Sequence, residues 1–258
     1  MYLLYLYSMV LYYKKDLKDR KMNFDNRNVV VIGGSAGMGL NIAKEAHKKG
    51  ASIVIGGRTL EKLEAAAKEI GENVEFEVID TMNEESVKSF FEKVGVIDYL
   101  VTPGSSVKTS NIKELPLEDA MYTMNNKFFG QYLCAKYAQI NEGGSITLFS
   151  GILSRRPGQS DSILSPTNAA VESLGKALAR ELAPIRVNTV SPGLVAGTDA
   201  YNMMPEEMRE GMYNYVSSVL PLGKVGNPQE IANATLMVMA NTFITGTTID
   251  IDGGGLLV

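Results

Sequence analysis

The chain predicts an α/β protein in which one parallel sheet is covered by helices on both faces, and three observations carry that prediction. A run of four apolar residues, Val29-Val30-Val31-Ile32, leads into glycines at 33, 37 and 39, and a helical pattern opens at Asn41-Ile42-Ala43-Lys44-Glu45-Ala46. Short β-branched runs and amphipathic stretches then alternate to the end of the chain with no linker between them. At 258 residues, one α/β domain with a sizeable core is the natural size. Repeated strand–helix units of this length close only through crossovers, so the strands run parallel and are buried on both faces.

The elements follow in order. Strands are expected at 29–32, 51–57, 74–79, 99–101, 145–149, 186–190 and 247–251. Helices are expected from the glycine turn to about residue 48, over 59–70 with Gly71 as the stop, over 84–94, and as one long stretch from Leu117 to Ile140. Further helices cover 168–182, 205–219 and 228–240. In such a sheet, ligands sit beyond the carboxyl ends of the strands, where Gly33 to Gly39 falls.

Composition excludes several function classes. The net charge is −4 and the body of the chain has no long basic run, which argues against nucleic acid as a partner. A single cysteine, Cys134, excludes an internal disulfide, and with one histidine, His47, no zinc cluster can be built, so no metal site is expected. Cys134 lies in an apolar helical run and reads as core. His47 reads as a cation favoured by a helix C-terminus. A reducing, cytoplasmic location fits this cysteine usage.

Residues 1–21 stand apart as an extension to the domain at 22–258. Met1 to Tyr13 is nearly all apolar or aromatic and holds five of the twelve tyrosines, and Lys14-Lys15-Asp16-Leu17-Lys18-Asp19-Arg20-Lys21 follows at once. Thirteen residues are too few for a bilayer-spanning helix. Two readings stay open: a surface-lying amphipathic segment, or a leader ahead of a true start at Met22. The second is preferred, and a membrane partner is not expected.

The glycine turn carries the first chemistry. Unpaired N–H groups at a helix start, with the positive end of the helix dipole, form an anion site. Glycines admit the dihedrals of the turn and let a diphosphate approach the backbone. The spacing Gly33-x3-Gly37-x-Gly39 differs from the commonest dinucleotide fingerprint, G-x-G-x-x-G.

From Asn28 to the C-terminus the chain resembles the short-chain dehydrogenase/reductases, and the landmarks arrive in that family's order. They are the G-x3-G-x-G turn, Asp80-Thr81, Gly104 of an otherwise altered N-N-A-G turn, and Glu181-Leu182-Ala183-Pro184-Ile185-Arg186-Val187-Asn188-Thr189-Val190-Ser191-Pro192-Gly193. Pro221-Leu222-Gly223-Lys224-Val225-Gly226 and Thr245-Gly246-Thr247-Thr248-Ile249-Asp250-Ile251-Asp252-Gly253-Gly254 complete the set. The resemblance implies a single Rossmann-type doubly wound sheet that binds a dinucleotide through Gly33, Ser35, Gly37, Met38, Gly39, Asp80, Thr81, Gly104, Pro192 and Gly193. It also implies a small-molecule substrate, and a homo-oligomer (tetramer or dimer) joined partly through the apolar tail Gly255-Leu256-Leu257-Val258.

Cofactor choice follows from charge. An acidic residue at the end of the second strand would select NAD, but that place is held by Gly57, eighteen residues after Gly39, and Arg58 follows. Glycine leaves room for a 2′-phosphate, and Arg58 offers a forked cationic donor with the Ser35 hydroxyl beside it, so NADP(H) is expected. A cation at a helix start is disfavoured by the helix dipole, which favours a functional reason for Arg58.

The catalytic set departs from the family. Aligned on Ala170-Val171-Glu172, the tyrosine of Y-x-x-x-K is Leu164 and its lysine is Asn168, while the asparagine of the preceding helix is Lys127. A lysine and an asparagine have exchanged places. The resulting expectation is that Lys127 supplies the charge, Asn168 hydrogen-bonds the ribose and Ser150 orients a carbonyl, although Gly151 holds the family's own serine position. Asp161, Ser162, Ser165, Lys127, water or the substrate remain as proton donors. The motif at Tyr132-Leu133-Cys134-Ala135-Lys136 is a decoy, because it precedes the serine strand. Arg155 and Arg156 are candidates to meet an anionic substrate. Met203, Met204, Met208 and Met212 suggest an adaptable apolar lid over 196–215. The function expected is an NADP(H)-dependent oxidoreductase acting on a small carbonyl or activated alkene; the alternative is a non-catalytic NADP(H)-binding sensor or partner subunit.

Overall fold

The computed structural model describes residues 22–202 and 204–258; the extension at 1–21 and Met203 lie outside the described residues. Seven strands form one sheet in the order β3-β2-β1-β4-β5-β6-β7, with every pairing parallel. They are β1 (Asn28–Ile32), β2 (Ser52–Gly57), β3 (Glu75–Val78), β4 (Val96–Val101), β5 (Gln139–Phe149), β6 (Arg186–Pro192) and β7 (Thr248–Ile251). This is the doubly wound architecture the alternating pattern predicts.

β1 shows why its sequence is apolar throughout. Val29 and Val31 enter one core with Ile42, Ile53, Ile55, Leu63 and Leu236, while Val30 and Ile32 enter the other with Phe90, Leu100, Ile146 and Val171. A strand with helices on both faces has no solvent side to reserve for polar residues. β1 pairs with β2 on one side and β4 on the other, so the chain changes winding direction there and opens a crevice above the strand ends.

Helices run from Gly37–Lys48, Leu60–Ile70 and Glu84–Val94, close to expectation, and the last is capped by the Asn83 side chain accepting from the Ser86 N–H. Pro228–Ala240 begins with a full capping box between Asn227 and Glu230. The helix expected over 168–182 starts earlier, at Leu164, and runs to Glu181.

The long helix expected from Leu117 to Ile140 is corrected. It comprises an α-helix Leu117–Met124, a π-helical turn Asn125–Phe129 and an α-helix Gly130–Tyr137; Gln139 and Ile140 already belong to β5. In the π turn the Gly130 N–H reaches back five residues to the Asn125 carbonyl. Apolar periodicity spans such a turn without a break, which is why the pattern reads as one helix.

Candidate active site

The sheet's carboxyl edge carries a cavity of about 760 Å³ that runs from the glycine turn to Tyr201, Tyr215 and Val219. Its floor begins where β1 and β4 end. The Gly33 N–H donates to the Gly56 carbonyl at 2.7 Å, and the Gly104 N–H donates to the Ile32 carbonyl at 3.1 Å. These glycines lie backbone on backbone: a Cβ on Gly33 would stand 2.3 Å from the Gly104 Cα, and Gly33 also holds φ +83°. One on Gly39 would stand 2.1 Å from the Gly33 carbonyl oxygen. Both steric arguments for glycine therefore operate in the same turn.

The helix Gly37–Lys48 starts at this floor with no side-chain cap and no acidic residue in its first turn. Its first N–H groups and dipole are left to an outside anion. Ser35, Met38, Gly57 and Arg58 line the same end, and the position of a Gly57 Cβ lies 3.7 Å from the Ser35 hydroxyl. Lys62, in the first turn of the helix that follows Arg58, also lines it; a second cation so soon after Arg58 was the available signal. The Tyr122 phenol is held below its ordinary pKa, first by a hydrogen bond with Ser106 and then by the Arg58 guanidinium. Thr81, Gly104, Pro192 and Gly193 line the cavity. Asp80 does not: it is exposed, and its carboxylate accepts from the Met82 N–H at 3.0 Å, which fixes the turn ahead of the next helix.

At the other end Lys127, Ser150 and Asn168 line one wall, with Leu164 a helical turn before Asn168. Lys127 is only 8% exposed, and Nζ has two long contacts, 3.3 Å to the Ser150 carbonyl and 3.5 Å to the Ser105 hydroxyl. No carboxylate pairs with it among the described residues. Burial brings its pKa down to about 8. Asn168 is 2% exposed, and its Oδ1 has no hydrogen-bond partner. A buried donor-rich amine and an orphaned buried acceptor thus border one space, and an orphaned buried acceptor calls for a partner brought by a ligand.

The Ser150 hydroxyl is already engaged. It donates to Glu172 at 3.0 Å, and the Ser154 hydroxyl donates to the same oxygen at 2.6 Å. Gly151 is the position that faces Asn168: a Cβ there would lie 3.1 Å from Asn168 Nδ2. Alternation along an extended chain turns residue 150 to one side and 151 to the other. Of the two arginines, Arg156 lines the cavity, whereas Arg155 is committed to Asp250 at 2.7 Å and to the Ser191 hydroxyl at 3.1 Å. The decoy pair is elsewhere: Tyr132 is exposed and Lys136 bonds Glu84 at 2.7 Å, and neither lines the cavity. Cys134 is buried, its thiol pushed up to about 12, as a core residue should be. Asp161 accepts from the Gly158 N–H at 2.8 Å and orders a loop instead of lining the site.

Sequence reasoning missed Asn126, Tyr201 and Tyr215, which also line the cavity. Asn126 Oδ1 accepts from the Ser106 N–H at 2.6 Å, and burial first of all raises the Tyr201 phenol above its ordinary pKa. Tyr201 and Tyr215 fall within 196–215, the segment expected as a lid, and only the folded chain brings them to the cavity.

This geometry coincides with likeness to known proteins. A family model described as enoyl-(acyl carrier protein) reductase matches residues 33–255. The 3-oxoacyl-[acyl-carrier-protein] reductase of Mus musculus is 30% identical over 233 residues, covering 87% of this chain and 95% of that protein. Carbonyl reductase family member 4 of Xenopus laevis is 30% identical over 234 residues, covering 87% and 95%. Among solved structures, a small-chain dehydrogenase in complex with NADPH is 36% identical with a TM-score of 0.78, covering 91% of this chain and 100% of that one. The L-sorbose reductase of Gluconobacter frateurii, complexed with NADPH and L-sorbose, is 25% identical with a TM-score of 0.83, covering 92% and 99%. The chain belongs to the short-chain dehydrogenase/reductase family and is an oxidoreductase of that class.

Proposed function

We propose that the protein is an NADP(H)-dependent reductase of a small carbonyl or activated alkene, with Lys127 in place of the missing tyrosine. The observation that carries it is the pairing of a buried, carboxylate-free Lys127 with the orphaned Asn168 Oδ1 on one cavity wall. The residues present fit the dinucleotide: an uncapped helix start for its diphosphate, and Arg58, Lys62 and Ser35 around the space where a 2′-phosphate would sit. The two neighbours solved with NADPH support that choice.

When bound, the reduced nicotinamide supplies a hydride. The chain's own work is to hold the substrate oxygen, place charge against it and deliver a proton. Near pH 7 the Lys127 amine is an ammonium, and it stabilises the developing oxyanion and gives that oxygen a proton. The neutral amine left behind is tolerated because the site is desolvated, and solvent reprotonates it. Asn168 Oδ1 accepts from a ligand hydroxyl, the ribose's in our reading. Ile152, Leu153, Leu164 and Val219 offer an apolar wall to the substrate body. The exposed Leu257 and Val258 at the C-terminus suit a homo-oligomer, a tetramer in our reading, in the cytoplasm.

The test is a fluorescence titration with NADPH and NADH of the protein begun at Met22, followed by turnover of carbonyls and enones by wild type and Lys127→Met. Saturable NADPH binding with turnover lost in the variant is expected. Tight NADPH binding with no turnover by wild type on any substrate would favour a non-catalytic sensor or partner subunit instead.

A further inference from the structure

We infer that Gln131 is a positioning residue that holds the Lys127 ammonium in the cavity by tying the π-helical turn to the end of β5. The inference rests on the proposed role of Lys127, but its test does not depend on turnover.

Gln131 is 3% exposed, and all four hydrogen-bonding valences of its amide are used. Its Nε2 donates to the Lys127 carbonyl at 2.8 Å and to the Phe149 carbonyl at 2.9 Å. Its Oε1 accepts from the Phe149 N–H at 2.7 Å and from the Thr102 hydroxyl at 2.8 Å. The amide therefore caps the last residue of β5 at both its N–H and its C=O, as a neighbouring strand would, while gripping the lysine's own backbone. Ser150, the next residue in the chain, supplies the carbonyl that Lys127 Nζ contacts at 3.3 Å. One side chain thus sets the spacing between the turn that carries the lysine and the strand end it reaches for.

The π turn is the element this link ties down. Widening the helix between Asn125 and Phe129 changes the backbone pairing on which an ordinary helix would rely around Lys127. A buried carbonyl needs a donor, and the Gln131 amide provides one. It also opposes the tendency of a buried ammonium to swing toward water, a displacement that the few and long contacts of Nζ resist weakly. The bonds fix the orientation of the amide: two carbonyl oxygens face Nε2, and an N–H and a hydroxyl face Oε1.

The experiment is an NMR titration of lysine side chains labelled with ¹³C at Cε, with the Lys127 resonance assigned by its loss in Lys127→Met. Wild type should titrate near pH 8 at this residue. Gln131→Met keeps the volume but loses the four bonds, and its Lys127 midpoint should move up by about one unit or more toward the free-lysine value. Gln131→Glu sets a carboxylate against the Lys127 and Phe149 carbonyls and should move it up as well. If Gln131→Met fails to fold, Thr102→Val removes one of the bonds and should give a smaller shift in the same direction. A midpoint unchanged in every folded variant overturns the positioning role, and so does a loss of melting temperature with no change in midpoint. The functional reading fails separately, if Lys127→Met turns over substrate like wild type.

Discussion

The two ends of the cavity are built from different material. The cofactor end is made of backbone: Gly33 against Gly104, Gly39 against the Gly33 carbonyl, and an uncapped helix start. The reaction end is made of side chains held by other side chains, Lys127 by the π turn and Gln131, and Asn168 by its place in a helix. Backbone requirements constrain residue type so tightly that they leave glycines in fixed spacing. Side-chain requirements can be met from more than one position, provided the group arrives at the same point in space. In our reading, that is how the cofactor end keeps its family pattern while the reaction end exchanges a lysine and an asparagine.

The same contrast explains what was legible in the sequence. The glycine spacing, the apolar run of β1 and the strand–helix alternation each have one physical reading, and the sheet follows from them. Lys127 and Asn168 were found by alignment to neighbouring landmarks, and the structure puts both on one wall. What the sequence hid depends on direction. Both Ser150 and Gly151 line the cavity, but which of them turns its side chain toward Asn168 is decided by the phase of an extended strand end, which a one-residue shift reverses. The π turn leaves no mark in the pattern, and Tyr201 and Tyr215 reach the cavity from the helices Asp199–Asn202 and Glu206–Val219, which only the fold brings to the strand ends.

The sharpest way to break the contrast is Lys127→Met. Loss of the proton donor should cut turnover by ~10²–10⁴-fold while NADPH affinity stays within about twofold, measured by steady-state rates and fluorescence titration. Turnover at wild-type level would mean that the reaction end does not use this lysine. In wild type the rate of reduction should fall as pH rises through about 8, where the ammonium is lost. Stability should move the other way. The folded pKa lies below the unfolded value of 10.5, so between about 8 and 10.5 the folded protein sheds its proton first and stability rises with pH. Below about 8 the folded protein carries the full cost of the buried charge, on the order of 3 kcal/mol from the size of the shift. Lys127→Met should therefore melt higher than wild type at pH 7, with a flatter pH dependence.

The matching lesion at the cofactor end is Gly104→Ala. Its Cβ would stand 2.6 Å from the Gly33 Cα and 3.0 Å from the Ile32 carbonyl oxygen, backbone atoms that can move only by parting β1 from β4. A destabilisation of ~1–3 kcal/mol is expected, with loss of saturable NADPH binding. Denaturant unfolding and the fluorescence titration check the two parts. If the variant bound NADPH normally, close packing of the two strand ends would not be what shapes that site.

Arg58→Asp separates the charge of the cofactor end from its shape. The side chain is exposed, so folding should be untouched. NADPH affinity should drop by about tenfold or more, or ~1.4 kcal/mol, while NADH affinity holds or improves. Equal weakening of both cofactors would show that Arg58 does not read the 2′-phosphate, and would leave Lys62 as the cation to test next.

The smallest effect belongs to the one stretch that matches the family's catalytic motif by spelling. Tyr132→Phe and Lys136→Met should leave turnover and NADPH affinity at wild-type levels, since Tyr132 is exposed and the Lys136 amine is spent on Glu84 and the neighbouring Tyr137 ring. Lys136→Met loses a solvent-exposed ion pair, of the kind that contributes little to stability, so only a slight change in melting temperature is expected. A large fall in turnover for either variant would place the chemistry outside the cavity that holds Lys127 and Asn168. The exchange of those two residues would then be drift at a disused wall. A null result leaves the motif as two surface residues on the solvent side of the helix Gly130–Tyr137, and makes spatial position the criterion for a working tyrosine–lysine pair.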